Sequence, residues 1–337
     1  MTEPAVPRNW QPDVLGDRFE QLTLPLGTDD EGEVVATLVR FRPPFRLRFA
    51  PGAAAGTDVL YVHGWSDYFF NPELAEYWGR LGARFFALDL RKYGRSIRPG
   101  QTRGYITDLA DYDADIEAAL IAMGQGDGDD RDASSRRPLI LMGHSTGGLT
   151  LSLWAARHPG RADALVLNSP WLEFQLSRVG REALAPVIGW GARLNPQGPL
   201  PNVDLGFYTR SVAKELGGEW EYDHDWRPDR GFTTHPAWLT AILAGHATVA
   251  AGIDVGAPVL TLLSARSTIQ PQWSEEMRSS DIVLVVDEIA ERSLRLGAEA
   301  SVSRIDGALH DVLLSRPPVR AAAYRAITRW LGGYAPH

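Results

Sequence analysis

Short apolar runs alternate with helical periodicities along most of the chain, and that alternation predicts an α/β class protein with a mostly parallel, doubly wound sheet. Residues Phe19 to Leu26 and Val34 to Phe41 alternate apolar with polar positions like half-exposed strands, and are expected to pair as an antiparallel hairpin at the sheet edge. Val59-Leu60-Tyr61-Val62 and Phe85-Phe86-Ala87-Leu88 are continuous apolar runs, suited to central parallel strands covered on both faces. Between them, Asn71-Pro72-Glu73 reads as a helix start. The asparagine can cap, the proline sits where no intrahelical bond is lost, and the acid faces the positive end of the helix dipole; Gly82 reads as the stop. Leu109, Tyr112, Ile116, Leu120 and Met123 recur at spacings of three and four, predicting a helix from Thr107 to about Met123.

Pro138–Met142, Ala164–Leu167, Val259–Leu263 and Ser301–Ile305 read as further strands, Leu149–His158 as a helix, and Pro318–Leu331 as an amphipathic helix ended by Gly332-Gly333. The interval between Leu167 and Val259 is far longer than one crossover helix needs. It predicts a helical cap inserted at residues 170–245 into a core made of residues 1–169 and 246–337. The cap would hold Trp171, Trp190, Trp220, Trp226 and Trp238. Gly124 to Arg137 carries aspartates and glycines with Ala133 as its one apolar residue and reads as a surface loop. Its glycines follow a helix rather than a strand, which removes the geometric reason for phosphate binding.

Composition narrows the function classes. With 44% hydrophobic and 23% charged residues the 337-residue chain should fold compactly. A net charge of -8 with no basic stripe argues against a nucleic-acid partner. The absence of cysteine excludes thiolate catalysis, disulfides and cysteine-based metal sites. Met1 to Pro7 lacks a basic start and an apolar core, and no run of about 18 apolar residues occurs, so a soluble, cytoplasmic chain with no integral membrane segment is expected. No cofactor and no metal is expected. Asp223-His224-Asp225 groups possible metal ligands, but without further spaced ligands it reads as a solvated cap loop.

Candidate chemistry begins at Gly143-His144-Ser145-Thr146-Gly147. Serine is a poor nucleophile unless a tight turn presents its hydroxyl beside a base and near oxyanion donors, and a G-x-S-x-G segment between a strand and a helix can do this. The glycines permit the close backbone approach that such an elbow needs. A base is expected beyond the last strand, where His310 follows Ser301–Ile305 across a short loop at the carboxyl edge. The remaining candidates have simpler readings: His158 and His235 precede prolines, His337 is terminal, and His224 and His246 lie in or after the cap. Oxyanion donors would be the backbone N–H groups of Thr146 and of Trp65, the latter in His63-Gly64-Trp65-Ser66-Asp67 after the strand Val59–Val62.

With these residues in place the chain resembles the α/β-hydrolase fold superfamily, in its monoacylglycerol lipase and lysophospholipase-like branch, also grouped as serine aminopeptidase S33-like, over about residues 35 to 332. His63-Gly64-Trp65-Ser66-Asp67 is similar to that branch's H-G-x-G-E-H loop, Asp89 to Ser96 to its D-x-R-G-x-G-x-S loop, and Gly307-Ala308-Leu309-His310 to its G-x-x-H histidine loop. Ser66 and Asp67 stand where the branch has Gly-Glu. The branch's catalytic aspartate, in G-x-x-D, is missing, for Ser264-Ala265-Arg266-Ser267 occupies that place. The resemblance then points to Asp281, in a segment like the family's D-x-V displaced by a short insertion; Asp287 and Glu173 stay open as alternatives.

The resemblance implies ester hydrolysis through Ser145, His310 and Asp281 with an acyl-enzyme, on a small-molecule ester whose apolar acyl group lies under the aromatic cap. An aminopeptidase or amidase would use the same machinery, with Glu173, Glu219, Glu221, Asp223 or Asp225 to hold a substrate amine. A non-catalytic ligand-binding protein on the same fold is the reading from another class, motivated by the missing G-x-x-D.

Overall fold

The computed structural model describes residues 9–44, 52–126, 136–174, 191, 193–201 and 204–334. Residues 175–190, 192, 202 and 203 of the candidate cap, Trp190 among them, and residues 127–135 of the loop before Pro138 lie outside the described residues. The strands are β1 (Gln11–Pro12), β2 (Phe19–Asp29), β3 (Gly32–Phe41), β4 (Asp58–Val62), β5 (Arg84–Asp89), β6 (Leu139–His144), β7 (Ala164–Asn168), β8 (Val259–Ser264) and β9 (Ala300–Ile305). They form one sheet in the order β1-β2-β3-β5-β4-β6-β7-β8-β9. From β5 through β9 every neighbour is parallel, while β1, β2 and β3 add on antiparallel. All carboxyl ends of the parallel strands therefore meet at one edge, the edge where doubly wound sheets carry their sites.

The hairpin forms in the expected register, but β3 is an interior strand rather than part of the edge. Val34 to Val39 are buried on both faces, and a strand apolar on both faces gains more by pairing with β5 than by facing water.

Helices cover both faces. On one side α1 (Pro72–Leu81) and α7 (Pro317–Tyr334) bury Leu74, Trp78, Ile327 and Leu331 against Val59, Tyr61, Ile140 and Met142 of the sheet. On the other, α2 (Tyr112–Met123), α3 (Thr146–Arg157), α5 (Pro236–Ala251) and α6 (Val286–Ser293) share a core with Leu60, Val62, Leu141 and Leu165. A short helix, α4 (Phe207–Val212), belongs to neither layer. α1 starts as its sequence predicts: Asn71 Oδ1 accepts from the Leu74 N–H at 3.1 Å, and Gly82 ends the helix with φ of 95°.

Two helix boundaries differ from expectation. α2 begins at Tyr112 instead of Thr107, because Leu109–Asp111 is a 3₁₀ turn whose N-cap, Asp108, accepts from the Ala110 N–H at 2.9 Å. An i,i+3 spacing serves either helix type, so periodicity alone does not distinguish them. α7 runs through Gly332-Gly333 to Tyr334. Glycine costs a helix only about 1 kcal/mol, less than the burial of Ile327, Trp330 and Leu331 returns. Residue 245, where the cap is expected to close, falls inside α5, and Gly245 lies so close to Leu109 and Leu153 that a side chain there would collide.

The loop leaving β5 is built on buried charge. Asp89 accepts from the backbone N–H groups of Phe69 and Arg95 and from the Arg95 guanidinium at 2.8–3.1 Å. Lys92 holds φ of 63° where the resembling family has glycine; its buried ammonium is 2.6 Å from both Asp29 and Glu31 at the hairpin tip, which offsets the strain. Asp115 of α2 anchors the same loop, accepting from the Arg91 N–H and Nε, each at 2.7 Å.

Burial raises the Asp115 carboxyl from 3.8 to about 6, against the pull of Arg91. A folded-state value above the unfolded one means that folding takes up a proton. The stabilisation is complete below 3.8 and is lost as pH rises through about 6. Asp115→Asn removes this titration and keeps an acceptor for Arg91. The melting temperature of the parent minus that of Asp115→Asn should therefore fall as pH is raised from 4 to 7, measured by thermal melts in matched buffers; a difference that grows with pH would contradict the burial argument.

Candidate active site

β6 ends at His144 and α3 begins at Thr146, leaving Ser145 alone between them with φ of 50° and ψ of −116°, a strained conformation for a non-glycine residue. Close packing enforces it. A Cβ on Gly147 would overlap the carbonyl oxygens of Val62 and His63 on the β4 side, and one on Gly143 would stand 2.7 Å from the Gly147 carbonyl carbon and from Gly148 Cα. The Ser145 N–H donates to the Asn168 carbonyl at 3.0 Å, and its own carbonyl accepts from Trp171 at 2.9 Å. The serine is thereby tied to the end of β7 and to the chain that leaves it.

The loop after β4 lies against this elbow: a Cβ on Gly64 would be 3.1 Å from Ser145 Cβ. His63 fixes the loop. Its Nε2 accepts from the Leu90 N–H at 3.1 Å, so Nδ1 carries the proton and donates to the Gly64 carbonyl at 2.7 Å. Burial lowers the His63 pKa and keeps that ring neutral. The Trp65 indole packs between Trp238, Phe232 and Tyr93, with ring centroids at 3.8, 5.8 and 5.9 Å. Thr146, as the first residue of α3, has one of the N–H groups that a helix leaves without an intrahelical acceptor. Ser66 holds a positive φ, 52°, where the resembling family has glycine, the residue for which that conformation carries no steric penalty.

His310 follows β9 and is 3% exposed. Its loop is pinned by Ser264 Oγ donating to the Ala308 carbonyl at 2.7 Å and by the Leu309 N–H donating to Ser315 Oγ at 2.9 Å. His310 Nδ1 lies 3.0 Å from Asp281 Oδ2, and the other Asp281 oxygen accepts the Val283 and Leu284 N–H groups, each at 2.8 Å. This leaves Nε2 of His310 for a second partner. The ring also contacts His144, the residue before Ser145, with centroids at 4.9 Å.

Asp281 reaches this place by a tertiary contact that returns the chain to the end of β8. Ser267 and Asp281 form a parallel bridge, the Asp281 N–H donating to the Arg266 carbonyl at 3.0 Å and its carbonyl accepting from the Thr268 N–H at 2.8 Å. Ser267 Oγ then donates to the Leu284 carbonyl at 2.7 Å and accepts from the Val286 N–H at 2.9 Å. The other two candidate acids go elsewhere. Asp287 lies in the first turn of α6, not at its cap, and pairs on the surface with Arg304 at 2.6 Å; Glu173 pairs with Arg292, whose Nε is at 2.9 Å. The two ring nitrogens of His224 face Glu215 and Asp229, each at 2.8 Å, at an exposed position, and Asp223 caps its own turn.

Several neighbours are not evident from motif or spacing. Asn168, at the end of β7, donates to Asp311 at 2.6 Å and accepts from the Val312 N–H at 3.0 Å, holding the His310 loop to the sheet. Tyr208 of α4 sets its ring edge-on to His310 at 5.5 Å, and its hydroxyl oxygen accepts from the Asp311 N–H at 3.2 Å. Arg227, fully buried, lies 3.1 Å from Asp67; burial pushes the Asp67 carboxyl up and Arg227 opposes it. The adjacency of Asp311 to His310 is the one sequence signal among these. Arg227 has none.

The family described as serine aminopeptidase, S33, matches residues 54–278 of the chain. A monoacylglycerol lipase of Mycolicibacterium smegmatis is 30% identical over 155 residues, which is 45% of this chain and 50% of that protein. The chain thus spans about half the length of that curated relative. Among solved structures, the monoacylglycerol lipase of Paleococcus ferrophilus superposes with a TM-score of 0.58 at 20% identity, covering 83% of this chain and 97% of its own. A soluble variant of monoglyceride lipase from Saccharomyces cerevisiae gives 0.62 at 14% identity, covering 99% and 97%. These structural likenesses carry the fold.

The packing at the elbow makes a stability prediction. Gly147→Ala should cost about 3 kcal/mol or more, because the new Cβ meets the backbone of Val62 and His63, which must move. Gly332→Ala, in open space within α7, should gain roughly 0.5–1 kcal/mol from helix propensity. Denaturant melts of the two variants check this, and comparable effects at both positions would refute the packing account.

Proposed function

Because the chain belongs to the serine aminopeptidase S33 family of α/β hydrolases, we propose that it is a serine hydrolase cleaving carboxylic esters of apolar acyl groups. The observation that carries this reading is the buried His310–Asp281 contact of 3.0 Å, with the His310 ring packed at 4.9 Å on His144, the neighbour of a strained Ser145. Ser145 Oγ attacks the acyl carbonyl, and His310 Nε2 removes its proton and later returns it to the leaving alcohol. Asp281 holds the imidazole with Nδ1 protonated and stabilises the imidazolium. The Trp65 and Thr146 amides receive the tetrahedral oxyanion; a donor of this kind is worth about a hundredfold or more in rate. Water, activated by the same histidine, releases the acyl group.

The acyl side of the reading rests on Phe232, Trp65, Trp238 and Trp171, whose rings pack one on the next from the loop after β4 to the chain leaving β7. We take residues 170–245 as the cap over this wall. Among the described residues no helix is long and apolar enough to cross a membrane. The family description also names aminopeptidases. Three of the carboxylates available to hold a substrate amine are already paired, however: Glu173 with Arg292, Glu219 with Arg320 and Glu221 with Lys214. This favours the ester. A purely ligand-binding role gives no reason to maintain backbone strain at Ser145 beside a paired histidine.

Ser145→Ala should abolish hydrolysis of p-nitrophenyl acyl esters and labelling by a fluorophosphonate probe; full activity in that variant would overturn the assignment. Asp281→Asn should lower kcat by about 10⁴-fold, with Asp287→Asn near the parent rate. Aminoacyl anilides assayed in parallel should be turned over far more slowly than the esters, and the reverse order would favour the aminopeptidase.

A further inference from the structure

Residues 269–280, the excursion that separates Asp281 from the end of β8, do more than lengthen a loop. Arg278, three positions before the acid, donates from Nη1 to the Arg210 carbonyl at 3.1 Å and from Nη2 to the Leu216 carbonyl at 2.9 Å. Both acceptors lie on the segment around α4, in the insertion between β7 and β8. Next to them Ser211 Oγ donates to the Met277 carbonyl at 3.3 Å, and Met277 is 1% exposed. Trp273 stacks under two guanidiniums, Arg210 at 4.2 Å and Arg278 at 5.1 Å, and meets the Phe207 ring at 5.9 Å. The same helix reaches the histidine: Tyr208 contacts His310, and Val212 packs with Leu309 and Leu314.

We propose that Arg278 is a positioning residue for Asp281, fixing the acid against His310 by clamping the excursion to the backbone carbonyls at Arg210 and Leu216. The inference rests on Asp281 being the acid of an ester hydrolase. Physically, the acid is not carried on a strand end; it is held on one side by the Ser267 bridge, the Ser267 hydroxyl and the Val283 and Leu284 N–H groups, and on the other by the excursion. These bonds hold Asp281 and the residues after it, but do not by themselves fix the excursion that leads into it. The bidentate clamp three residues upstream supplies that constraint, because a planar guanidinium sets two directions at once. A displacement of about 1 Å at such a distance from the chemistry is enough to cost up to a hundredfold in rate.

The test is a double-mutant cycle on the full-length protein with a p-nitrophenyl ester. Arg278→Ala should lower kcat by about ten- to a hundredfold with KM within about twofold, and should slow fluorophosphonate labelling of Ser145 in proportion. In the Asp281→Asn background the same change should cost less than about twofold, because the group it positions no longer carries a charge. Arg278→Lys, which can reach one carbonyl, should fall between parent and Arg278→Ala; it replaces Arg278→Ala in the cycle if that variant does not fold. Equal losses in both backgrounds, or a rise in KM alone, would overturn the positioning role. Full activity in Asp281→Asn would instead overturn the assignment of the acid, and is read independently of Arg278.

Discussion

The site depends on how closely three pieces of backbone approach at the elbow. β6 must pass Ser145 into α3 within a few ångströms of β4, and glycine at 143 and 147 is what lets the carbonyls of Val62 and His63 and the backbone of Gly147 and Gly148 occupy that space. Strain of the kind Ser145 carries costs on the order of 1–3 kcal/mol and persists only when the surroundings over-determine it. Here they do: every residue of β4, β6 and β7 is buried, and Ser145 is bonded through its N–H to Asn168 and through its carbonyl to Trp171. The candidate nucleophile is therefore preorganised by the sheet itself. The residues that would serve it arrive on loops, and each loop needs its own device to hold it in place.

Those devices explain what the sequence could and could not convey. Strands β4 to β8 are largely apolar runs whose burial follows from their composition, β9 is a half-buried edge strand, and their parallel order brings the loops after β4, β6, β8 and β9 to one edge without any further information. The boundary of α2 is illegible because Leu109 fits an apolar stripe whether its turn is α or 3₁₀; the Asp108 cap decides it. The interior place of β3 is likewise hidden: the alternation of Phe19–Leu26 suggests an edge for its hairpin partner too, yet the Val34-Val35-Ala36 run is apolar on both faces.

Within the site, legibility tracks distance along the chain. Ser145 and the glycines around it form one local motif, and His310 stands where chain order puts a base. Asp281 could be approached only through resemblance, because what returns it to the end of β8 is a bridge to Ser267 and a set of tertiary hydrogen bonds, none of which leaves a spacing to read. Lys92 and Ser66 are the converse case. Both depart from glycine in the family pattern, yet both keep the left-handed backbone that glycine would allow, with Lys92 held by two carboxylates. A motif can thus change its letters while conserving its geometry.

The same loops crowd acids and bases into a buried space, and each carboxylate there faces a different set of partners. Asp67 faces Arg227; Asp311 takes the Asn168 amide and the Leu313 N–H; Asp281 takes two backbone N–H groups through one oxygen and leaves the other to His310. His144 comes within 3.9 Å of Asp311, but burial lowers its pKa and its Nδ1–H is already spent on the Asn168 carbonyl, so the contact is not an ion pair. A neutral His144 next to His310 matters to the proposed mechanism, since a second imidazolium at 4.9 Å would oppose a charge on His310 there. Among the described carboxylates in hydrogen-bond contact with a buried imidazole, Asp281 alone meets His310, and in a low-dielectric site that one contact is where the proposed mechanism would stabilise a positive charge.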